Sequence, residues 1–525
     1  MTLFSLPPAS VVSAIEYYFF LCCDVLLTGF YHAECKCVQN ARNVNLCFQI
    51  KAASWALEHG VSVVIGSGFE EMAITRIVQG KRVGTFFTEH QSKMISLEST
   101  AANARKASRT LESLTATQRS AAVLAMADAL EARTADIMEA NERDLTVARE
   151  QGLSAPMLAR LALTPAKLSA LADGLRTIAK TSPSMLGRVL RKTRVAEGME
   201  LSQVTVLIGV LLVIFKPRPD SLPQSAALSV ATANGLLLKG GHEAAHTNRC
   251  FWQLLQQCLK PYDAADALAL VSTREDVDEL LNLKGYIDLV IPRGSNQLVP
   301  DIQRKSRGIP VLGHSDGICH VYVDREADKQ NAMRIVVDSK CDYPAACNAM
   351  ETLLVDRDHV EGGLLSALCS ALKAHGVSLY SGPRMAQLLT FGPPAAPSMR
   401  IEYSGPQCAV EVGDSVDEAL EHINTHGSSH TDAIVTENKD TAEQFLRGAD
   451  SACVFHNCST RFADGYRFGL GAEVGIRTGR IHARGPVGME GLLTTKRLLR
   501  GSGNVVQDFG ESGTKTYLHE NLPSS

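Results

Sequence analysis

Residues 342–351 read Asp-Tyr-Pro-Ala-Ala-Cys-Asn-Ala-Met-Glu, and Cys347 is the residue there with chemistry to offer. A thiolate attacks carbonyl carbon well and leaves as readily, so it suits acyl transfer through a covalent intermediate. Cysteine is also among the most buried residue types, so packing is the starting reading and the surroundings must overturn it. Small residues flank Cys347, and a helix is expected to begin near Asn348; its N-terminus would lower the thiol pKa. Two cations stand at expected strand ends, each followed by glycine: Lys239 before Gly240 and Arg293 before Gly294. There a backbone can approach a phosphate while the cation pairs with it. Neither is a G-x-G-x-x-G fingerprint, and by spacing alone an ordinary strand-end charge is the commoner outcome.

These residues need strands to carry them. "VTVLIGVLLVIF" (204–215) reads as a buried strand pair or one long strand. "GLLLKGG" (235–241), "ALALVST" (267–273), "IDLVIPRG" (287–294), "IPVLGH" (309–314) and "HVYVD" (320–324) read as further apolar strands, with helices such as 243–260 between them. Strand and helix in alternation imply an α/β fold with a parallel, doubly wound sheet. Ligands bind such sheets at the carboxyl ends of the strands. Cys347 would open a second α/β unit, continued by 414–424 and 432–438, near the cleft between the two. Before the sheet, Thr115 to Gln118 has the form of a capping box. Thr164-Pro165 starts another helix, with Leu168, Leu171, Leu175 and Ile178 on its core face.

Composition bounds the function. The 525 residues are 45% hydrophobic and 21% charged, with a net charge of -4. That is ordinary for a globular chain of two or three domains. No Arg/Lys block interleaves with aromatics, so nothing points to nucleic acid. The 14 cysteines are scattered and lack metal-ligand spacing, as reduced thiols in an intracellular setting would be, with no metal site implied. The first 48 residues are apolar but cut by Glu16, Asp24 and Glu34. They fall short of the roughly 20 apolar residues of a membrane span and match neither a secretory signal nor a transit peptide.

Four long runs, 209–249, 291–324, 339–355 ("SKCDYPAACNAMETLLV") and 468–496 ("FGLGAEVGIRTGRIHARGPVGMEGLLTTK"), closely resemble the gamma-glutamyl phosphate reductase family. The match is to the reductase half of animal-type bifunctional pyrroline-5-carboxylate synthases, within the aldehyde dehydrogenase superfamily. Residues 51–89 resemble the last piece of the glutamate 5-kinase domain that precedes the reductase there, expected as helix–strand–helix. The expectation is a reductase without kinase activity.

The resemblance implies an aldehyde dehydrogenase-like fold in five parts. Residues 1–48 are unassigned, and 49–89 are a kinase remnant. Residues 90–325 form an NADP-binding domain with an oligomerisation hairpin near 187–206. Residues 326–500 form the catalytic domain, and 501–525 a tail. It further implies NADPH as cofactor, L-glutamyl 5-phosphate as substrate, a homo-oligomer, and mitochondria as the compartment, with cytoplasm the alternative. Cys347 is implied as the catalytic thiol. Lys239 and Glu402 (in "IEYSGP") are implied at the cofactor, where the strand-end reading also places Arg293 and Gly294, and Arg218, Asn457, His482 and Arg484 are implied near the substrate. Oxidising aldehyde dehydrogenases activate water with a glutamate from an "ELGG" segment; the comparable stretch here, "LGHSDGIC" (312–319), has none. The family turn Glu-Ser-Arg-Pro is replaced by Lys216-Pro217-Arg218-Pro219, and Leu207 stands where a proline is usual. Two other readings are kept: an aldehyde dehydrogenase with a different substrate, and a catalytically impaired chain that only joins oligomers of a full-length enzyme.

Overall fold

The computed structural model describes residues 96–523 apart from 216–217, 272–273, 295–297, 314–315 and 512, together with 19–20, 54–56, 63–65 and 85–87. The chain divides into two units, Met1–Ile95 and Ser96–Ser525. In the first, β1 (Phe19–Phe20) pairs in parallel with β2 (Val63–Ile65), which pairs antiparallel with β3 (Thr85–Phe87). Residues 54–56 are helical. The strand at 85–87 was not part of the expected helix–strand–helix, and residues 66–84 lie outside the described residues.

The second unit opens with helices. Thr115 accepts from Gln118 N in a complete capping box, and Thr164 caps the helix Pro165–Thr181, which has proline at its first turn. A hairpin follows, β4 (Val189–Ala196) and β5 (Met199–Leu207). It is widened by β18 (Leu493–Arg500) beside β5 and β19 (Glu520–Leu522) beside β4. Part of the expected catalytic domain and of the tail thus belongs to the hairpin sheet.

Residues 204–215 are two strands in different sheets. Gly209, at φ +139°, breaks them, and a Cβ there would lie 2.0 Å from Asp288 Oδ2. That carboxylate accepts Val210 N–H at 2.7 Å and so starts β6 (Val210–Phe215).

The first parallel sheet has the order β8-β7-β6-β9, with β7 (Gly235–Lys239), β8 (Leu268–Leu270) and β9 (Leu289–Arg293). Every residue of β6 is buried, as a strand covered on both faces requires. Val210, Leu212 and Ile214 face the helices 97–113 and 298–305. Leu211, Val213 and Phe215 face the helices 116–132, 165–181 and 221–231. The expected strand 309–314 is reduced to one bridge between Val290 and Val311.

"HVYVD" does not close this sheet. As β10 (Cys319–Val323) it sits inside a second, six-stranded parallel sheet of order β12-β13-β11-β10-β14-β15. The others are β11 (Met350–Asp356), β12 (Ser378–Ser381), β13 (Gln407–Gly413), β14 (Thr431–Val435) and β15 (Cys453–His456). An apolar five-residue run shows that a strand is buried, not which sheet buries it. Two short strands, β16 (Ile476–Arg477) and β17 (Gly485–Pro486), pair separately. Among the described residues no helix is long and apolar enough to cross a membrane.

Under the second sheet, the His422 ring on the helix Val416–His426 meets His320 edge-on at 5.5 Å and lies tilted 4.7 Å from His426. Burial and then those two neighbours push its pKa down to about 3. Glu411, Glu418 and Arg384 line the same small cavity. Because the folded pKa lies below the ordinary value near 6.5, the unfolded chain binds the proton more tightly between those limits. Stability is full above about pH 6.5 and falls as the pH drops, by about 2 kcal/mol from this group at pH 5. Urea unfolding at pH 7.5 and pH 5 should show that loss, and His422→Leu should flatten it. An equal loss in both proteins would place the effect elsewhere.

Candidate active site

Cys347 stands, half-buried, in a turn between the helix Lys329–Cys341 and β11. No helix begins at Asn348; the chain enters β11 at Met350, so a helix N-terminus does not activate the thiol. The alternation needed for a strand is hidden because all seven residues of β11 are buried.

The turn is held from three sides. Gly317 packs backbone to backbone against it, where a Cβ would lie 2.1 Å from Cys347 O. The stretch 312–319 therefore does pass beside the thiol, with glycine at the contact; His314 lies outside the described residues. Cys319 Sγ donates to Cys347 O at 3.3 Å. Asn348 donates to Ala463 O at 2.9 Å and accepts from Arg461, whose Nε binds Asp342 Oδ2 at 3.0 Å. Arg461 thereby ties the start of the loop to the residue after Cys347.

A charged pair lies within electrostatic reach of the thiol. Arg293, at the carboxyl end of β9, is 16% exposed and lies 3.6 Å from Glu473 Oε1, itself 14% exposed. It also donates to Ser221 Oγ at 3.3 Å and to Glu473 O at 3.4 Å. Burial lowers the Arg293 pKa, while Glu473, Asp220 and Cys347 act to raise it and Arg218 to lower it further. Burial raises the Glu473 carboxyl pKa, Arg293 opposes that, and Cys347 adds to it. So Arg293, Glu473, Arg218, Asp220 and Cys347 share one electrostatic neighbourhood. Glu473 reaches it because Gly471, at φ +78°, presses against Gly174 of the helix Pro165–Thr181, where a Cβ would meet backbone at 2.7 Å.

The other residues singled out by sequence fall in three places. Arg218 is half-buried in the turn before the helix Ser221–Ala231, near Arg293. Lys216 and Pro217 lie outside the described residues. Gly294 is exposed after β9, and a Cβ there would meet Leu298 at 2.5 Å.

Lys239 ends β7 and donates to Gly240 O at 2.5 Å. Beside it, Asn248 Oδ1 is buried without a hydrogen-bond partner among the described residues, and the buried Glu243 Oε2 has His242 Nδ1 at 3.6 Å but no hydrogen bond. A Cβ on Gly240 would lie 2.2 Å from Asn248 Nδ2, so the Asn248 amide packs directly over this glycine. Two buried acceptors without hydrogen bonds and a cation at the carboxyl end of a parallel strand fit the hydroxyls and phosphates of a dinucleotide.

Glu402 is half-buried in the loop before β13, within electrostatic reach of Glu351. Asn457 is bound to the residue that follows β14, accepting from Thr436 N and donating to Thr436 O, both at 3.0 Å. His482 Nε2 lies 2.8 Å from Gly491 O. Arg484 pairs with Asp450 at 3.0 Å. These last three are engaged in holding loops.

Sequence reasoning missed Glu473, Ser221, Asp220, Asn348 and Arg461. Glu473 lay inside a run noted for its resemblance, but a carboxylate in a glycine-rich loop has no spacing that announces a site.

A thiol on a loop of one parallel sheet, with a cation and dinucleotide-type acceptors on another, is the arrangement of a nicotinamide-dependent acyl reductase or aldehyde oxidoreductase. The aldehyde dehydrogenase family profile matches residues 70–393, and the chain belongs to that family. It is 46% identical over 407 residues to a gamma-glutamyl phosphate reductase of Parasynechococcus marenigrum, a match covering 77% of this chain and 93% of that one. It is 48% identical over 482 residues to delta-1-pyrroline-5-carboxylate synthase A of Arabidopsis thaliana, covering 90% of this chain and 66% of the synthase. The chain thus spans about two thirds of the length of the plant synthases it matches. The crystal structure of a gamma-glutamyl phosphate reductase from Thermotoga maritima superposes with TM-score 0.73 at 32% identity, covering 78% of this chain and 99% of that one. The family carries a nicotinamide cofactor.

Proposed function

We propose that this protein reduces L-glutamyl 5-phosphate to L-glutamate 5-semialdehyde and phosphate with NADPH, in proline biosynthesis. The supporting observation is Cys347 within electrostatic reach of Arg293 and Glu473, in a chain whose match covers 93% of a reductase it resembles. Cys347 attacks the acyl carbon, phosphate leaves, and a thioacyl enzyme remains. The Cys347 backbone N–H supplies a donor for the developing oxyanion. Arg293 and Arg218 offer positive charge to the phosphate as it departs. NADPH, when bound, supplies the hydride; Lys239, Glu243 and Asn248 hold its adenosine end and Glu402 its nicotinamide ribose. No glutamate occurs in 312–319 to activate water, which keeps the thioacyl enzyme for reduction. The semialdehyde then cyclises to pyrroline-5-carboxylate.

The reverse reaction tests the reading: pyrroline-5-carboxylate, phosphate and NADP should yield NADPH only when phosphate is present. Phosphate-independent turnover with simple aldehydes would replace it with an ordinary aldehyde dehydrogenase. Cofactor choice has its own test. Lys239→Ala should raise the KM for NADPH several-fold more than that for NADH, because a 2'-phosphate needs a cation. Equal effects would place Lys239 away from that phosphate. The hairpin sheet, with Leu190 and Leu499 exposed on it, is the surface through which copies of the chain would join, and size-exclusion chromatography reads that directly.

A further inference from the structure

A sealed ion pair brackets the Cys347 loop. Lys340 lies in the last turn of the helix Lys329–Cys341, and Glu351 is the second residue of β11. Lys340 Nζ stands 2.7 Å from Glu351 Oε2, and both side chains are 0% exposed. Burying two charges costs so much desolvation that apolar side chains of similar volume often stabilise a protein equally well or better. Stability is therefore a weak reason for the pair, and its placement offers a stronger one. It joins the residue that leads into the Cys347 loop to a residue just beyond it.

The remaining oxygen reaches further. Glu351 Oε1 accepts the Ser404 N–H at 3.2 Å. Ser404 lies two residues after Glu402, in irregular chain, and holds a left-handed conformation at φ +53°. Tyr403 between them stacks on Tyr380 at 5.3 Å. Burial pushes the Glu351 carboxyl pKa up to about 7, against Lys340 and the Ser404 amide, with Glu402 adding to the rise.

We infer that Lys340 and Glu351 are positioning residues for the reaction, fixing the separation between the Cys347 loop and the Glu402 loop so that thiol and nicotinamide ribose meet in register. The inference rests on the reading of Glu402 as the ribose contact.

The test uses the full chain carrying Lys340→Met and Glu351→Met together, which removes both charges and keeps the volume. Hydrogen exchange at Ser404 should quicken, the KM for NADP should rise about tenfold, and kcat should fall about tenfold, while the thermal midpoint stays near that of the unaltered protein. Unchanged exchange and unchanged KM overturn the inference, whatever the midpoint does. If the double variant does not fold, Glu351→Asp with Lys340 retained keeps the charge but withdraws the oxygen from Ser404. It should raise the KM for NADP in the same direction, and a KM like that of the unaltered protein overturns the inference. Glu402→Gln separates the two readings. If it leaves the KM for NADP alone while the double variant raises it and loosens Ser404, the ribose assignment fails and the brace stands. If it raises the KM while the double variant changes nothing, the brace fails and the assignment stands.

Discussion

Cys347→Ser should lower turnover by at least about a thousandfold, about 4 kcal/mol of barrier. Serine nearly preserves the shape of cysteine, and the turn is held by Gly317, Asn348 and Arg461, so the fold should survive. A hydroxyl is a much poorer nucleophile at neutral pH than a partly ionised thiol. The other described cysteines sharpen the test. Burial raises the thiol pKa of Cys250, Cys258, Cys341 and Cys369. It pushes Cys453 to about 11 and Cys408 to about 12, and Cys319 well up. Cys458 is the exposed competitor, so the labelling is best read in a Cys458→Ser background. There iodoacetamide should modify Cys347 ahead of the other described thiols, located by peptide mapping, and NADP with phosphate should slow it. Cys347→Ser retaining a tenth of the activity would remove Cys347 as the nucleophile, and with it the mechanism.

The contrast between what could and could not be read from the sequence is physical. Strands sealed on both faces, such as β6 and β10, are legible because they are uninterrupted apolar runs. Their sheet membership is not, since burial looks the same in either sheet. For that reason β10 was expected to close the first sheet, whereas it is central in the second. The same degeneracy hid β11, where continuous burial removed the period of two and let Asn348 read as a helix start. Local signals fared better: the Thr115 cap and the Thr164-Pro165 start involve neighbours a turn apart. The site is assembled from ends. Arg293 ends a strand, Ser221 begins a helix, Glu473 follows two glycines that bend a loop, and Cys347 sits in a turn. Family resemblance could point to Cys347 and a strand-end glycine to Arg293, but only folding joins Arg293 to Glu473 across 180 residues.

Removing the Arg293 guanidinium should affect stability and catalysis separately. Arg293→Met leaves Glu473 nearly buried with its cation gone, and breaking an ion pair of that kind costs about 3 kcal/mol. The loss has a pH dependence of known sign. Burial already raises the Glu473 carboxyl pKa, and Arg293 holds that rise in check; without it the folded-state pKa climbs further above the unfolded value. A carboxyl whose folded pKa is raised is stabilising when protonated and loses that contribution as the pH rises above its unfolded value near 4.5. Arg293→Met should therefore be closer to the unaltered protein in stability at pH 5 than at pH 8. Catalysis should respond differently, because the guanidinium pairs with Glu473 and is also within electrostatic reach of Cys347. With no cation for the thiolate or the departing phosphate, kcat/KM should fall at least about a hundredfold, about 2.7 kcal/mol. Arg293→Lys keeps the charge but gives up the planar fork that reaches Ser221 Oγ and Glu473 at once. It should recover most of the stability and no more than about a tenth of the activity. If Arg293→Met lowers the thermal midpoint yet keeps kcat/KM within about threefold, the residue only holds Glu473 in place, and the positive charge at the phosphate must come from Arg218 instead.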